Sequence, residues 1–474
     1  MKKLVLRLLS LLLCLGALGG CSGGEGMQSR ESAAESSSAP SAESSAALSS
    51  SVPSSETAVE KTLEGTVYEA TSGTITVENA SGALYTFVRE DVPLDAPEGI
   101  LIGAAVTVVY TGALGRDGDT SGAEVMRISV SPLPGIFEAY EARAAELAAS
   151  MTPERKLAQL LMSATFSAGG DPAAQAGRDQ PGGYVLFRPD FEGLTAQQVR
   201  DKLAAMQQAS EIPMLMAVDE EGGDVVRISS NPLLRQERFP SPAALCAEGM
   251  EAVQADTAEK AELLLSLGCN LLLAPVADVS LDEGDYIHRR TTGLSAEETA
   301  VYVETVVRSA GEAGVGTALK HFPGYGNNLN THTGISVDSR PMESFRESDF
   351  LPFQAGIDAG CPAVLVSHNI VTAMDAELPA SLSPEVHRVL REELGFDGVI
   401  LTDDLSMDAI GLYTGDTDPA VQAVLAGNDL LLTQRFEATY AALLEGWQTG
   451  VLTEELLDRA VERILCFKMW LGLL

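Results

Sequence analysis

Two kinds of hydrophobic pattern divide the chain. Between Thr62 and Ser131 apolar and polar positions alternate, with many β-branched residues. The runs are Gly65 to Ala70, Thr74 to Glu78, Leu84 to Val88, Ala105 to Tyr110 and Val125 to Val130. Such alternation marks half-buried strands. Turn residues separate them at Ser72-Gly73, Ser81-Gly82 and Asp117-Gly118. Five short strands predict a small all-β barrel or sandwich over residues 62–132, without a catalytic constellation, that serves as a spacer or binding module.

From residue 134 to 474 short apolar runs alternate with longer helical patterns. Candidate strands are Gln159 to Phe166, Gly183 to Phe187, Met214 to Asp219, Asn270 to Pro275, Thr317 to Phe322, Ala363 to His368, Val399 to Asp403 and Asp429 to Thr433. Amphipathic stretches lie between them, among them Glu192 to Ser210, Ala255 to Leu267, Ala296 to Ala313 and Pro384 to Leu394. Strand–helix alternation implies parallel strands with crossover helices, and eight such units can close a (β/α)8 TIM-type barrel. A doubly wound open sheet is the alternative, and periodicity alone leaves it open.

The first sixty residues follow neither pattern. Lys2, Lys3 and Arg7 precede the apolar run Leu8 to Leu18, too short to span a bilayer comfortably, so residues 1–20 read as a secretory signal. Leu18-Gly19-Gly20-Cys21 resembles a bacterial lipobox, which makes Cys21 the expected lipidated residue. Residues 21–61 are mostly Ser, Ala, Glu and Pro, a composition that cannot bury enough surface to offset its ordering entropy. They are expected to be a disordered tether to a membrane, placing the protein outside the cytoplasm.

Composition narrows the partners. A formal charge of -36 argues against nucleic acid and anionic lipid as ligands. Cys246, Cys269, Cys361 and Cys466 sit in apolar surroundings without CxxC spacing, so buried thiols are expected rather than zinc. No cofactor and no metal are expected, and the protein should be a monomer.

Polar residues gather where the strands end. Strand three ends at Asp219, strand five at Lys320-His321, strand six at His368-Asn369 and strand seven at Asp403-Asp404. Ionisable groups at the C-terminal ends of several strands are what a barrel active site requires, whereas a single Asp is usually a helix cap. Hydrolysis at such a mouth takes a nucleophile or base on one side of the scissile bond and an acid for the departing atom. Asp403 or Asp404 can supply the first. For the acid, Glu220 and Glu221 follow strand three, and His332 lies in the Gly- and Asn-rich segment Gly324 to His332.

Lys320-His321-Phe322-Pro323-Gly324, followed by Thr331-His332, resembles the signature of glycoside hydrolase family 3, in its β-N-acetylglucosaminidase branch. Asp219-Glu220-Glu221-Gly222-Gly223, Asn270 to Val279, Pro379 to Phe396 and Thr402 to Met407 extend the likeness over most of residues 151–472. The resemblance implies that Asp403 is the nucleophile of a retaining exo-glycosidase and that Asp404 is a structural neighbour. It also implies that Asp219, Arg227, Arg290, Lys320, His321 and His368 bind the sugar, with Arg289 an exposed charge. His332 takes the place of the family's loop acid/base, and Asn330 that of its aspartate partner.

The loop departs from the family pattern. Tyr325 replaces a second histidine, one residue is missing, and Asn330 can accept a hydrogen bond without stabilising an imidazolium by charge. The expected activity is release of terminal β-linked N-acetylhexosamine from glycans or cell-wall fragments. A β-glucosidase, a phosphorylase of the same family and a catalytically weakened sugar-binding lipoprotein are the alternatives.

Overall fold

The computed structural model describes residues 59–474 except 72, 90–91, 97–99, 101–102, 117, 132–134, 165–170, 327–335, 407–409, 411–412 and 414–416. Cys21, Asn330 and His332 lie outside the described residues, as do the signal and most of the tether. Residues 61–474 form one unit by their internal contacts.

The alternating runs become strands β1 (Lys61–Ala70), β2 (Thr74–Asn79), β3 (Leu84–Val88), β5 (Ala105–Gly112) and β6 (Ala123–Val130). A two-residue strand, β4 (Leu94–Asp95), joins them without a sequence signal. All six lie in one sheet, ordered β3-β2-β1-β5-β6-β4, rather than in the two layers of a sandwich. Their inward positions, including Val67, Ile75, Val77, Phe87, Val108 and Ile128, make a core of their own.

The second pattern gives eight parallel strands: β7 (Leu161–Ala164), β8 (Gly183–Leu186), β9 (Leu215–Val218), β10 (Leu271–Leu272), β11 (Gly316–Phe322), β13 (Ala363–Val366), β15 (Val399–Thr402) and β16 (Leu431–Thr433). Between them the short β12 (Val337–Asp338) and β14 (Ile370–Val371) pair separately. The order runs β15-β13-β11-β10-β9-β8-β7-β16. A parallel bridge from Leu401 to Leu430, with Thr402 N–H donating to the Leu430 carbonyl at 3.1 Å, brings the two ends together. An open doubly wound sheet keeps two free edges, so this curled sheet is a TIM-type barrel.

Local signals set the helices that wrap it. Thr195 and Ser295 each form a capping box, with Gln198 and Glu298, at the starts of helices Ala196–Ala209 and Ala296–Glu312. Pro384 opens helix Pro384–Arg388 behind the Ser383 cap, and a π-turn over Val389–Glu393 carries that stretch onward.

The two-residue period sorts the side chains of most of the barrel strands. Val185, Leu215, Ala217, Ala318, Ala363, Leu365, Val399 and Leu401 belong to one interior cluster. Tyr184, Met216 and Val218 face one group of surrounding helices, and Leu319, Val364, Val366 and Ile400 another. Continuing this alternation past the strand ends puts Asp219, Lys320 and Asp403 on the interior side. His368 and Asp404 fall out of phase.

Candidate active site

A pocket of about 360 Å³ opens at the C-terminal mouth of the barrel. Its apolar floor includes Val185, Leu273, Leu365 and Leu432, each the last inward residue of its strand or close to it. Above the floor stand Asp219, Arg227, Arg290, Lys320, His321, Asp403 and Asp404, brought together from residues 219 to 404 of the chain.

Lys320 is the hub. It is only 2% exposed, and its Nζ lies 2.7 Å from Asp219 Oδ1 and 2.5 Å from Glu221 Oε1. Arg227 holds the other Asp219 oxygen at 3.1 Å. Arg290 grips Glu221 in a two-pronged pair, at 3.0 and 2.7 Å. Burial alone would raise the Asp219 carboxyl, but the charges of Lys320 and Arg227 outweigh it and hold it below its ordinary value. The same contest at Glu221 ends further down. Burial favours the neutral acid, yet Arg290 and Lys320 hold the carboxyl well below the usual carboxylate range. Arg290 answers in kind: burial opposes its charge, and Glu221 more than restores it.

His321 ought to point outward by alternation, since its neighbour Lys320 points in. The β11–β13 ladder shifts register between Lys320 and Phe322, and this irregularity turns both side chains to the pocket. The ring is held at both nitrogens. Nδ1 lies 2.7 Å from Asp278 Oδ2, and Nε2 lies 3.1 Å from Arg290 Nη2. A guanidinium can only donate, so Nε2 accepts and Nδ1 carries the proton. The second Asp278 oxygen accepts the Tyr325 backbone N–H at 2.7 Å. Asp278 was missed from sequence, although an acidic residue inside the apolar stretch Leu271 to Val279 demands a partner.

Glycine is required just beyond. Gly324 has φ +124°, and a Cβ there would come 2.2 Å from Asp349 Oδ1. Tyr325, the departure from the family motif, is buried with its ring edge-on to His321 at 5.6 Å.

Not every expected residue belongs to the pocket. His368 follows the outward phase of Val364 and Val366 and does not line it. Its Nδ1 meets Ser381 Oγ at 2.7 Å and its Nε2 donates to the Asp404 carbonyl at 3.1 Å, so it braces the backbone beside Asp403. Asp404 lines the pocket beside Asp403, but its carboxylate is occupied locally, accepting from Ser406 N–H at 2.8 Å and from Gln434 Nε2 at 2.5 Å. Glu220 is sealed away, accepting the backbone N–H groups of Arg227, Ile228 and Ser229. Arg289 is exposed and pairs with Asp224 at the surface. Tyr286, Phe187 and Gln434 line the pocket without having been foreseen.

Asp403 reaches the pocket from β15, its backbone N–H donating to the Val366 carbonyl at 3.0 Å. Its Oδ1 accepts the Asp404 N–H at 2.8 Å, which aims the carboxylate from the strand end. The described pocket thus combines the neighbouring carboxylates of Asp403 and Asp404 with a cross-linked cluster of cations and carboxylates able to bind several hydroxyl groups. Among the described residues no group of three or more His, Cys, Asp or Glu is arranged to hold a metal ion.

Comparison with known proteins gives the family and the fold. Residues 152–467 match the Glycosyl hydrolase family 3 N terminal domain. A protein named beta-hexosaminidase from Stenotrophomonas maltophilia is 36% identical over 277 residues, 56% of this chain and 79% of that one. A family 3 beta-N-acetylglucosaminidase structure from Paenibacillus superposes with a TM-score of 0.64 at 33% identity. The match covers 68% of this chain and 63% of that one, so this chain spans less than two thirds of it. A beta-N-acetylhexosaminidase structure from Beutenbergia cavernae gives 0.61 at 27% identity, covering 68% of this chain and 99% of that one.

Proposed function

The chain belongs to glycosyl hydrolase family 3, and from that premise we propose that it releases terminal β-linked N-acetylglucosamine through a glycosyl-enzyme intermediate on Asp403. It is a glycoside hydrolase. The observation that carries the reading is the position of Asp403, in phase with the barrel interior and in one pocket with Asp219, Arg227, Lys320 and Arg290.

In this reading the terminal sugar rests on the apolar floor. Asp219, Arg227 and Lys320 bind its hydroxyl groups, exchanging their mutual contacts for contacts to the sugar. Asp403 attacks the anomeric carbon from one face, the bond to the leaving oxygen breaks, and a proton passes to that oxygen from the other face. Water then releases the sugar with its configuration retained.

The acid in this scheme is His332, as the family resemblance implies. Two observations support it by disfavouring the carboxylic alternatives. Glu221 is held ionised by two cations, and Glu220 is engaged with backbone amides. A general acid must carry its proton at working pH, which Glu221 does not.

Water is favoured over phosphate as the acceptor by charge. Arg227, Arg290 and Lys320 are paired with Asp219 and Glu221, and Asp403 and Asp404 line the same pocket, so these groups together do not attract a dianion. A panel of nitrophenyl glycosides, run with and without phosphate, tests the whole reading. Turnover of the N-acetylglucosaminide to free sugar is expected. Preference for the glucoside, or a sugar 1-phosphate product, overturns it.

The N-terminal segment suits an enzyme working at a membrane surface, and anchoring through lipid on Cys21 is part of the same proposal. No helix among the described residues is long and apolar enough to cross a membrane.

A further inference from the structure

In a blind pocket the terminal sugar lies at the floor and the remainder of the substrate leaves through the mouth. Lining groups with the greatest exposure therefore meet the leaving group. Lys320 and His321 are buried, whereas Tyr286 lines the same pocket with 41% of its surface exposed. Among the described residues the exposed aromatic side chains are Tyr286 and Tyr68, and Tyr68 belongs to the separate β-sheet.

An exposed tyrosine on a loose loop would mean little, but this one is braced. The preceding segment is tied by Ser280 Oγ to Asp285 Oδ2 at 2.8 Å and by Gly284 N–H to Asp282 Oδ1 at 2.8 Å. The next residue, Ile287, is fully buried. The Tyr286 ring leans on Tyr325 at 5.9 Å, and Tyr325 in turn stands edge-on to His321. Three rings in contact fix the angle of the outermost one. Phe187, the other aromatic in the lining, carries the Arg227 guanidinium over its face at 5.7 Å.

We propose that Tyr286 is the platform for the leaving group: it takes the apolar face of the sugar, or other ring, joined through the scissile oxygen. A pyranose presents a sheet of C–H groups on one face, and a tyrosine with an apolar body and a wet edge suits it. The group determines which glycosides are cleaved fast, independently of which terminal sugar the floor selects. It rests on the reading that the terminal sugar occupies the floor beside Asp403.

The test compares leaving groups at a constant terminal sugar. Wild type, Tyr286→Ala and Tyr286→Phe are assayed for kcat/KM on a β-glycosyl fluoride and on the matching β-linked disaccharide. Fluoride offers nothing to stack. Tyr286→Ala is expected to lose about tenfold on the disaccharide while the fluoride stays within about twofold, and Tyr286→Phe to keep both. Equal loss on the two substrates, or no loss on either, overturns the proposal. Fluoride turnover by the variant reports that it is folded. Running both series with N-acetylglucosamine and with glucose separates the two readings, because a wrong terminal sugar shows in wild type, whereas a wrong platform shows in the variant on whichever sugar is turned over.

Discussion

Asp278 and His321 form a buried pair, 2.7 Å from Oδ2 to Nδ1, and the other Asp278 oxygen holds the Tyr325 N–H at the same distance. Only a carboxylate can accept at both ends. In Asp278→Asn one end becomes a donor, and either orientation of the amide sets a donor against a donor. The expected loss is about ten- to hundredfold in kcat/KM, the cost of one buried bond left unmade. His321 would be driven toward its other tautomer, whose Nε2 proton meets the Arg290 guanidinium. A variant with native circular dichroism and native kcat/KM would show that the pair does not position the pocket.

Replacing Asp403 with Asn should close the covalent route. Turnover should fall by about three to five orders of magnitude, with KM changing far less. A 2-fluoro sugar that forms a slow intermediate should label Asp403 in the wild type, as read by peptide mass spectrometry. Label on Asp404 or Asp219 would move the nucleophile.

The proposed acid, His332, is tested through its neighbour. A carboxylate beside an imidazole raises its pKa, so Asn330→Asp should carry the protonated form to higher pH. The alkaline limb of the kcat/KM profile should shift upward with it, and His332→Ala should remove the limb. An unmoved limb in Asn330→Asp together with a fully active His332→Ala places the acid elsewhere.

A second pH dependence belongs to stability. Lys468 is completely buried in helix Glu454–Trp470, with Nζ 2.6 Å from Gln159 Oε1. Burial lowers its pKa from 10.5 to about 7. Between those values the unfolded chain binds the extra proton, so stability should rise with pH across that window and level off below it. Lys468→Met removes the buried amine and should melt higher than wild type near pH 7, by an amount that shrinks toward pH 10. Parallel melting curves at all pH values would show that the amine is not what limits stability.

Anchoring is tested by fractionation. Cys21→Ser should release the protein from the membrane fraction into the medium or periplasm. A variant that stays in the membrane rules out the lipid.

The sequence by itself determined the parallel strands and much of what stands at their C-terminal ends, while the pairing of Leu401 with Leu430 decided that they close into a barrel. Apolar runs of the right length, separated by capped helices, dictate parallel strands because each strand must be buried on both faces. The same alternation marks Asp219, Lys320 and Asp403 as inward, and it also marks His368 as outward, a reading that its place beside a strand end had obscured. Only the tertiary structure decided the rest. Glu221, Arg290 and Asp278 lie on connections beyond strand ends, where no period governs direction, and they meet because the closed barrel brings its mouth segments together. His321 reaches the pocket through a shift of register between two strands, and a register exists only once both are paired. Which carboxylates stay ionised followed from that convergence, since the pKa of a buried acid depends on the charges folded against it.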